Sequence, residues 1–236
     1  MPSLTREAFD SLSASGTRLE WLSNWLTNAV WSRERFGELS AAQYLEEGER
    51  LVNGLEEVIA AASPRVYDEL AALPRNRLIS TFLDGDQRSA IVVFDGLSLR
   101  EMPALQNLAE SSGLSITESG VGRSALPSET LDFIEQQLGF ATAPSQLSGR
   151  HELKHRGSAA YYYSHPGERH SLDTEARALL LWSSFPDNTY RDSAARFSEH
   201  FAQIQTLMES AWNSTVMTIP RGRRILVTSD HGYLFL

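Results

Sequence analysis

The run Ala90-Ile91-Val92-Val93-Phe94, closed by Asp95-Gly96, constrains this chain more than any other feature. Five apolar, mostly β-branched residues without a polar alternate cannot form a strand with one wet face. They read as a parallel strand buried on both sides. Ala178 to Trp182 and Arg224 to Val227 repeat the pattern, with a long helix expected between them from about Ala194 to Trp212. Met102 to Ser111 and Glu129 to Leu138 have helical spacing, and Leu114 to Ser119 alternates as a strand would. Strands alternating with helices predict an α/β fold with a mainly parallel sheet and helices on both faces.

Before Ser89 the period differs. Leu19, Trp21, Leu22, Trp25 and Leu26 return at helical spacing, as do Tyr44, Leu45, Leu51, Leu55, Val58 and Ile59. Ser40 with Gln43 fits a capping box, and Ser63-Pro64 reads as a helix start. The expected organisation is a helical bundle of four or five helices over 1–88, then an α/β domain over 89–236. The polar stretch from about Thr142 to His170 is expected to be irregular or an inserted hairpin. Within it, Tyr161-Tyr162-Tyr163 reads as a half-buried strand.

Composition narrows the chemistry. With no cysteine, thiolate sites and disulfides are excluded, and a metal must be held by His, Asp, Glu or hydroxyl oxygen. A formal charge of -9 gives little non-specific attraction to nucleic acid or anionic lipid. No apolar stretch is long enough to span a bilayer, and the N-terminus has no apolar signal core, so a cytoplasmic protein is expected.

Three chemistry-bearing pieces fall at the expected C-terminal ends of strands or just beyond: Asp95-Gly96, Pro127-Ser128-Glu129-Thr130, and Ser229-Asp230-His231-Gly232. Each alone has an ordinary reading, as a turn, a helix start or a strand end. In this order they resemble the alkaline phosphatase superfamily, and within it the PglZ-type domains, over roughly Ser89 to Leu236. The resemblance implies a metal-dependent phosphoesterase of the kind found in bacterial phage-defence or signalling proteins.

It further implies Asp95, Asp230 and His231 as ligands of a divalent metal, Zn first, with Mn and Mg as alternatives. Thr130 is then the nucleophile, with Ser128 and Ser124 as alternatives. A second metal would draw on Asp187, with Asp192 in reserve, but Arg191 stands where that site usually has histidine. A further histidine would lie beyond Leu236, so the domain is expected to be incomplete at its C-terminus. The implied substrate contains phosphate, a nucleotide among the candidates. The rival expectation is a degenerate, non-catalytic module that binds protein partners in a larger assembly.

The other histidines carry no motif. His151, His155, His165 and His170 fall in the polar stretch, with His165 or His170 nearest to a substrate role, and His200 falls on the long helix. Arg221, Arg223 and Arg224 read as solvated residues leading into the last strand.

Overall fold

In a computed structural model of the chain, the described backbone covers residues 2–14, 16, 18–192 and 197–232. Side chains are described for all of these except 2–5, 190–192 and 197–202. The chain divides into two compact units: Met1–Pro74 with Leu99–Glu110 and Leu114–Arg123, and Arg75–Ser98 with Ser111–Gly113 and Ser124–Leu236.

The first unit is helical. Helices α1 (Pro2–Ser13) and α2 (Arg18–Trp25) lead into a π-helical turn, Leu26–Val30, followed by α3 (Arg33–Glu38), α4 (Ala41–Asn53) and α5 (Glu56–Ala72), with α7 (Met102–Ser111), a helix where one was expected, later in the chain. The capping box at Ser40 and Gln43 forms at the start of α4, each side chain engaging the other's backbone amide. The Trp31 ring lies directly on α4 at Gly48, where a Cβ would overlap it. Trp31 and Phe36 then meet Tyr44 edge to face, at centroid distances of 5.4 and 5.2 Å.

Ser63-Pro64 does not start a helix; it lies inside α5. Proline cannot donate to the carbonyl four residues back, which here is Ala60. The Ser63 hydroxyl donates to that same carbonyl at 2.8 Å, so the acceptor is satisfied and the helix continues.

The second unit opens with α6 (Leu78–Asp84) and holds a four-stranded sheet: β1 (Ser89–Phe94), β2 (Ser158–Tyr163), β3 (Ala178–Ser183) and β4 (Arg224–Ser229). The strand order is β2-β3-β1-β4, and every pairing is parallel. Ser89 is level with both Ala178 and Arg224, and Ser158 with Ala178, so all four carboxyl ends emerge together. Every residue of β1 and β3 is buried, as continuous apolar runs require.

Ile91, Val93, Leu180 and Trp182 share one face with Ile79 and Leu83 of α6 and with Phe133, Ile134 and Leu138 of α8 (Thr130–Leu138). The alternate residues Ala90, Val92, Leu179 and Leu181 are equally buried, as are Ile204, Met208, Ala211 and Trp212 of α11 (Phe197–Ser214). The result is an α/β fold, a parallel sheet flanked by helices and preceded in the chain by a helical region. No helix among the described residues is long and apolar enough to cross a membrane.

Three local expectations need correction. Leu114 to Ser119 forms no strand; it is irregular and mostly exposed, because its alternation finds no surface to bury against. The stretch from Thr142 to His170 is not a hairpin. It contains a 3-10 helix, Pro144–Gly149, a short helix α9 (His151–His155), and β2, which adds to the sheet in parallel. Arg223 is not simply solvated: its guanidinium donates to the carbonyls of Ser89, Arg177, Thr174 and Ala176 at 2.7 to 3.2 Å. It thereby staples the amino ends of β1 and β3.

Candidate metal centre

The aligned carboxyl ends of parallel strands form a crevice in which side chains from separate strands converge. Asp95 follows β1, while Asp230 and His231 follow β4, the strand paired with β1. Asp95 is held through its backbone: its N–H donates to Ser183 O at 2.9 Å, and its carbonyl accepts from Asp187 N at 3.0 Å. One ligand atom from each of Asp95, Asp230 and His231 lies within 4.8 Å of the others, a cluster capable of coordinating a metal ion.

Each carboxylate has one oxygen anchored and one directed into the cluster. The Trp182 indole N–H donates to Asp95 Oδ2 at 3.2 Å, and the Gly96 N–H donates to Asp230 Oδ1 at 3.0 Å. Oδ1 of Asp95 and Oδ2 of Asp230 then face His231 Nε2 at 3.4 and 3.5 Å. His231 Nδ1 lies 2.8 Å from the Gly232 carbonyl, which places the neutral ring's proton on Nδ1 and leaves Nε2 with its lone pair.

These features fit a divalent cation. Donors about 2.0 to 2.1 Å from a tetrahedral ion lie roughly 3.3 Å from one another, close to the separations seen here. Asp95 Oδ1 is buried and accepts no hydrogen bond of good geometry from any described residue. A buried carboxylate oxygen is costly unless a cation meets it, here the His231 imidazolium at 3.4 Å or a metal ion that replaces its proton. Two carboxylates and an imidazole, without thiolate, suit Zn, Mn or Mg.

The electrostatics of the cluster disfavour a second carboxylate charge and favour the imidazolium. Burial holds the Asp230 carboxyl above the usual carboxylate range; the Asp95 charge adds to this, while His231, Thr130 and the Gly96 N–H oppose it. His231 is pushed up to about 9, first by its contact with Asp95 and then by the Asp230 charge and the Gly232 carbonyl, against the opposing effect of burial.

Gly96 is required where it stands. Its φ of +74° belongs to glycine, and a Cβ there would stand 3.2 Å from Asp187 Cβ and 3.4 Å from His231 Cε1. Any side chain would press on the imidazole and on α10 (Asp187–Asp192).

The hydroxyl candidates separate clearly. Thr130, the first residue of α8, donates from Oγ1 to Asp230 Oδ2 at 2.7 Å. The Ser124 hydroxyl donates to the backbone carbonyl of Asp230, which commits its proton elsewhere. Ser128 is exposed. Asp187 lies beside Gly96 but outside the three-residue cluster, and the side chains of Arg191 and Asp192 lie outside the described residues.

His165 and His170 stay with β2 and its following turn: His170 Nε2 lies 3.0 Å from the Tyr162 carbonyl, and His165 Nδ1 lies 3.2 Å from that of Pro166. His151 and His155 pack on each other within α9, and the His200 side chain lies outside the described residues. Sequence reasoning missed Trp182. Its place at the end of a buried apolar run marks it as core, and no spacing signals that its N–H meets an aspartate 87 positions away.

With this geometry established, comparison with known proteins adds no relative: no protein-family model, no curated protein and no solved structure matches the chain.

Proposed function

We propose that the second unit is a metal-dependent hydrolase of phosphate esters, with Thr130 as nucleophile, in keeping with the PglZ-type resemblance of its motifs. The observation that carries this reading is the 2.7 Å contact from Thr130 Oγ1 to Asp230 Oδ2, which brings an alcohol to the carboxylate and imidazole cluster at the amino end of a helix. A divalent cation on Asp95, Asp230 and His231 would supply charge for a phosphoryl oxygen and lower the pKa of a hydroxyl beside it.

The chain's own groups account for the rest. The α8 ladder begins with Phe133 N donating to Glu129 O, so the amides of 130–132 precede it, and the Glu129 side chain caps none of them. Such amides are donors for phosphoryl oxygens. Thr130 Oγ1 forms a bond to phosphorus as the ester P–O bond breaks. Its proton passes to solvent, since Asp230 Oδ2 would be engaged with the cation, and the leaving alkoxide takes a proton from solvent in turn. Water then cleaves the phosphothreonine and restores the hydroxyl.

The test is hydrolysis of bis(p-nitrophenyl) phosphate by the Zn- or Mn-loaded chain, with the mass of acid-quenched protein read in parallel. Turnover by wild type and Thr130→Ser, none by Thr130→Ala, and one added p-nitrophenylphosphoryl group mapped to Thr130 are expected. Metal binding with no turnover and no modified Thr130 would refute the reading and favour a non-catalytic, partner-binding module.

A further inference from the structure

In an irregular stretch the four-residue spacing of His151 and His155 would carry nothing. On α9 it acquires a meaning, because residues four apart share a helical face. Leu153, midway between them, is 1% exposed and belongs to the core beneath the sheet, so both imidazoles are carried outward and are exposed. A helix of five residues does not stand alone in water. Here the burial of Leu153, with the Arg150 guanidinium 4.8 Å above the Phe140 ring, holds it in place.

The two rings already lie side by side, 5.9 Å between centroids. Two imidazoles on one ion, with nitrogen to metal bonds of about 2.0 to 2.1 Å, have centroids roughly 5 to 6 Å apart. The rings meet edge to face, and rotation about χ2, a broad torsion that costs little at an exposed site, converges their nitrogens.

A carboxylate stands behind the pair. Glu152 Oε2 lies 3.2 Å from His151 Nδ1, yet this buried atom accepts no hydrogen bond of good geometry. A histidine that binds metal through one ring nitrogen donates from the other to a carboxylate, carbonyl or water. Turning His151 onto an ion would give Oε2 the donor it lacks. A helix carrying His-Glu-x-x-His can also use its glutamate as a base toward metal-bound water. Here Arg150 holds Glu152 Oε1 at 2.6 Å, so the carboxylate orients the ring and moves no proton.

Charge narrows the ion. Arg150 is paired with Glu152, and Arg156 lies 3.7 Å from Asp84, but Lys154 is exposed and makes no ion pair among the described residues. That charge opposes ions held through charge and oxygen, such as Mg and Mn. Ions that bond strongly to imidazole nitrogen, Zn and Cu, can overcome it.

We infer that His151 and His155 form a second metal site, for a divalent ion of the nitrogen-preferring class, Zn or Cu, with water completing its coordination. His155 stands three residues before β2, at the amino end of the sheet, so the pair lies at the opposite end from the cluster of Asp95, Asp230 and His231. With two protein ligands against three, the pair exchanges its ion freely and empties on desalting, which leaves the cluster to be counted alone.

The test titrates Zn into the wild-type chain and follows the imidazole resonances of each histidine. His151 and His155 are expected to shift together with a single affinity, and Mg is expected to move neither. His151→Ala should weaken the His155 response at least about tenfold, and His155→Ala the His151 response likewise. Both side chains are exposed, and an unchanged amide spectrum elsewhere verifies the fold of each variant. A shift in only one of the two, separate affinities, a His155 response that survives His151→Ala, or equal shifts with Mg would overturn the inference. So would uptake that tracks dimer formation in sedimentation, which would place the two ligands on different chains.

Discussion

Metal affinity should rise steeply with pH between neutrality and about pH 9, and the His231 environment sets the size of the effect. Without a cation the imidazole is pushed up to about 9 by Asp95 and Asp230. At pH 7 it is therefore protonated in all but about one molecule in a hundred. A metal takes the neutral Nε2, so binding must expel that proton. Apparent affinity at pH 7 should then be about a hundredfold below its alkaline plateau, climbing about tenfold per pH unit. Asp230, also held above its usual range, steepens the dependence at lower pH.

Competition with a chromogenic chelator across this range, with calorimetry in buffers of different ionisation heat, measures both the slope and the proton released. Stability moves in opposite directions in the two forms. The folded-state value of His231 exceeds its unfolded value, so its contribution in the metal-free protein is fully present below about pH 6.5 and is lost as pH rises through about 9. The metal-loaded protein gains stability over the same window. A flat affinity between pH 7 and 9, or metal uptake at pH 7 without proton release, would refute this reasoning.

Trp182→Phe removes the N–H that anchors Asp95 Oδ2, in a carboxylate whose other oxygen has no hydrogen bond of good geometry among the described residues. Metal affinity should fall about tenfold to a hundredfold, and the metal-free protein should lose about 2 to 3 kcal/mol in chemical denaturation, with metal restoring part of it. Gly96→Ala forces a side chain into positive φ and against His231; chelator competition should show at least about a tenfold loss of affinity. Arg223→Met strips donors from four carbonyls at the amino ends of the strands, far along the sheet from the cluster. It should cost about 2 to 4 kcal/mol in urea unfolding while leaving metal affinity unchanged.

The strands β1 and β3 were readable because burial on both faces demands continuous apolar runs, which few other structures tolerate; β4 was readable from Ile225-Leu226-Val227, although the strand is only half-buried rather than covered on both faces. The convergence of Asp95, Asp230 and His231 was readable for a related reason: each follows such a run, and a parallel sheet brings the carboxyl ends of its strands together. β2 was harder to place. Ser158-Ala159-Ala160 is small and only moderately apolar, as suits an edge strand, and nothing local encodes its parallel pairing with β3. Pro64 misled because proline usually marks a boundary, whereas here the neighbouring Ser63 hydroxyl takes over the orphaned carbonyl. The anchors of the cluster, Trp182 and the Gly96 N–H, depend on contacts across 87 and 134 positions, beyond the reach of any local pattern.

The most direct test of the account is the metal content of chelator-free protein after incubation with Zn or Mn, alongside Asp95→Ala and the Asp230→Ala, His231→Ala pair. About one equivalent in the wild type, lost in both variants that still fold by circular dichroism, is the predicted result. Wild-type protein that takes up no metal from an excess, or variants that retain it, would contradict the claim that these three residues form a metal centre.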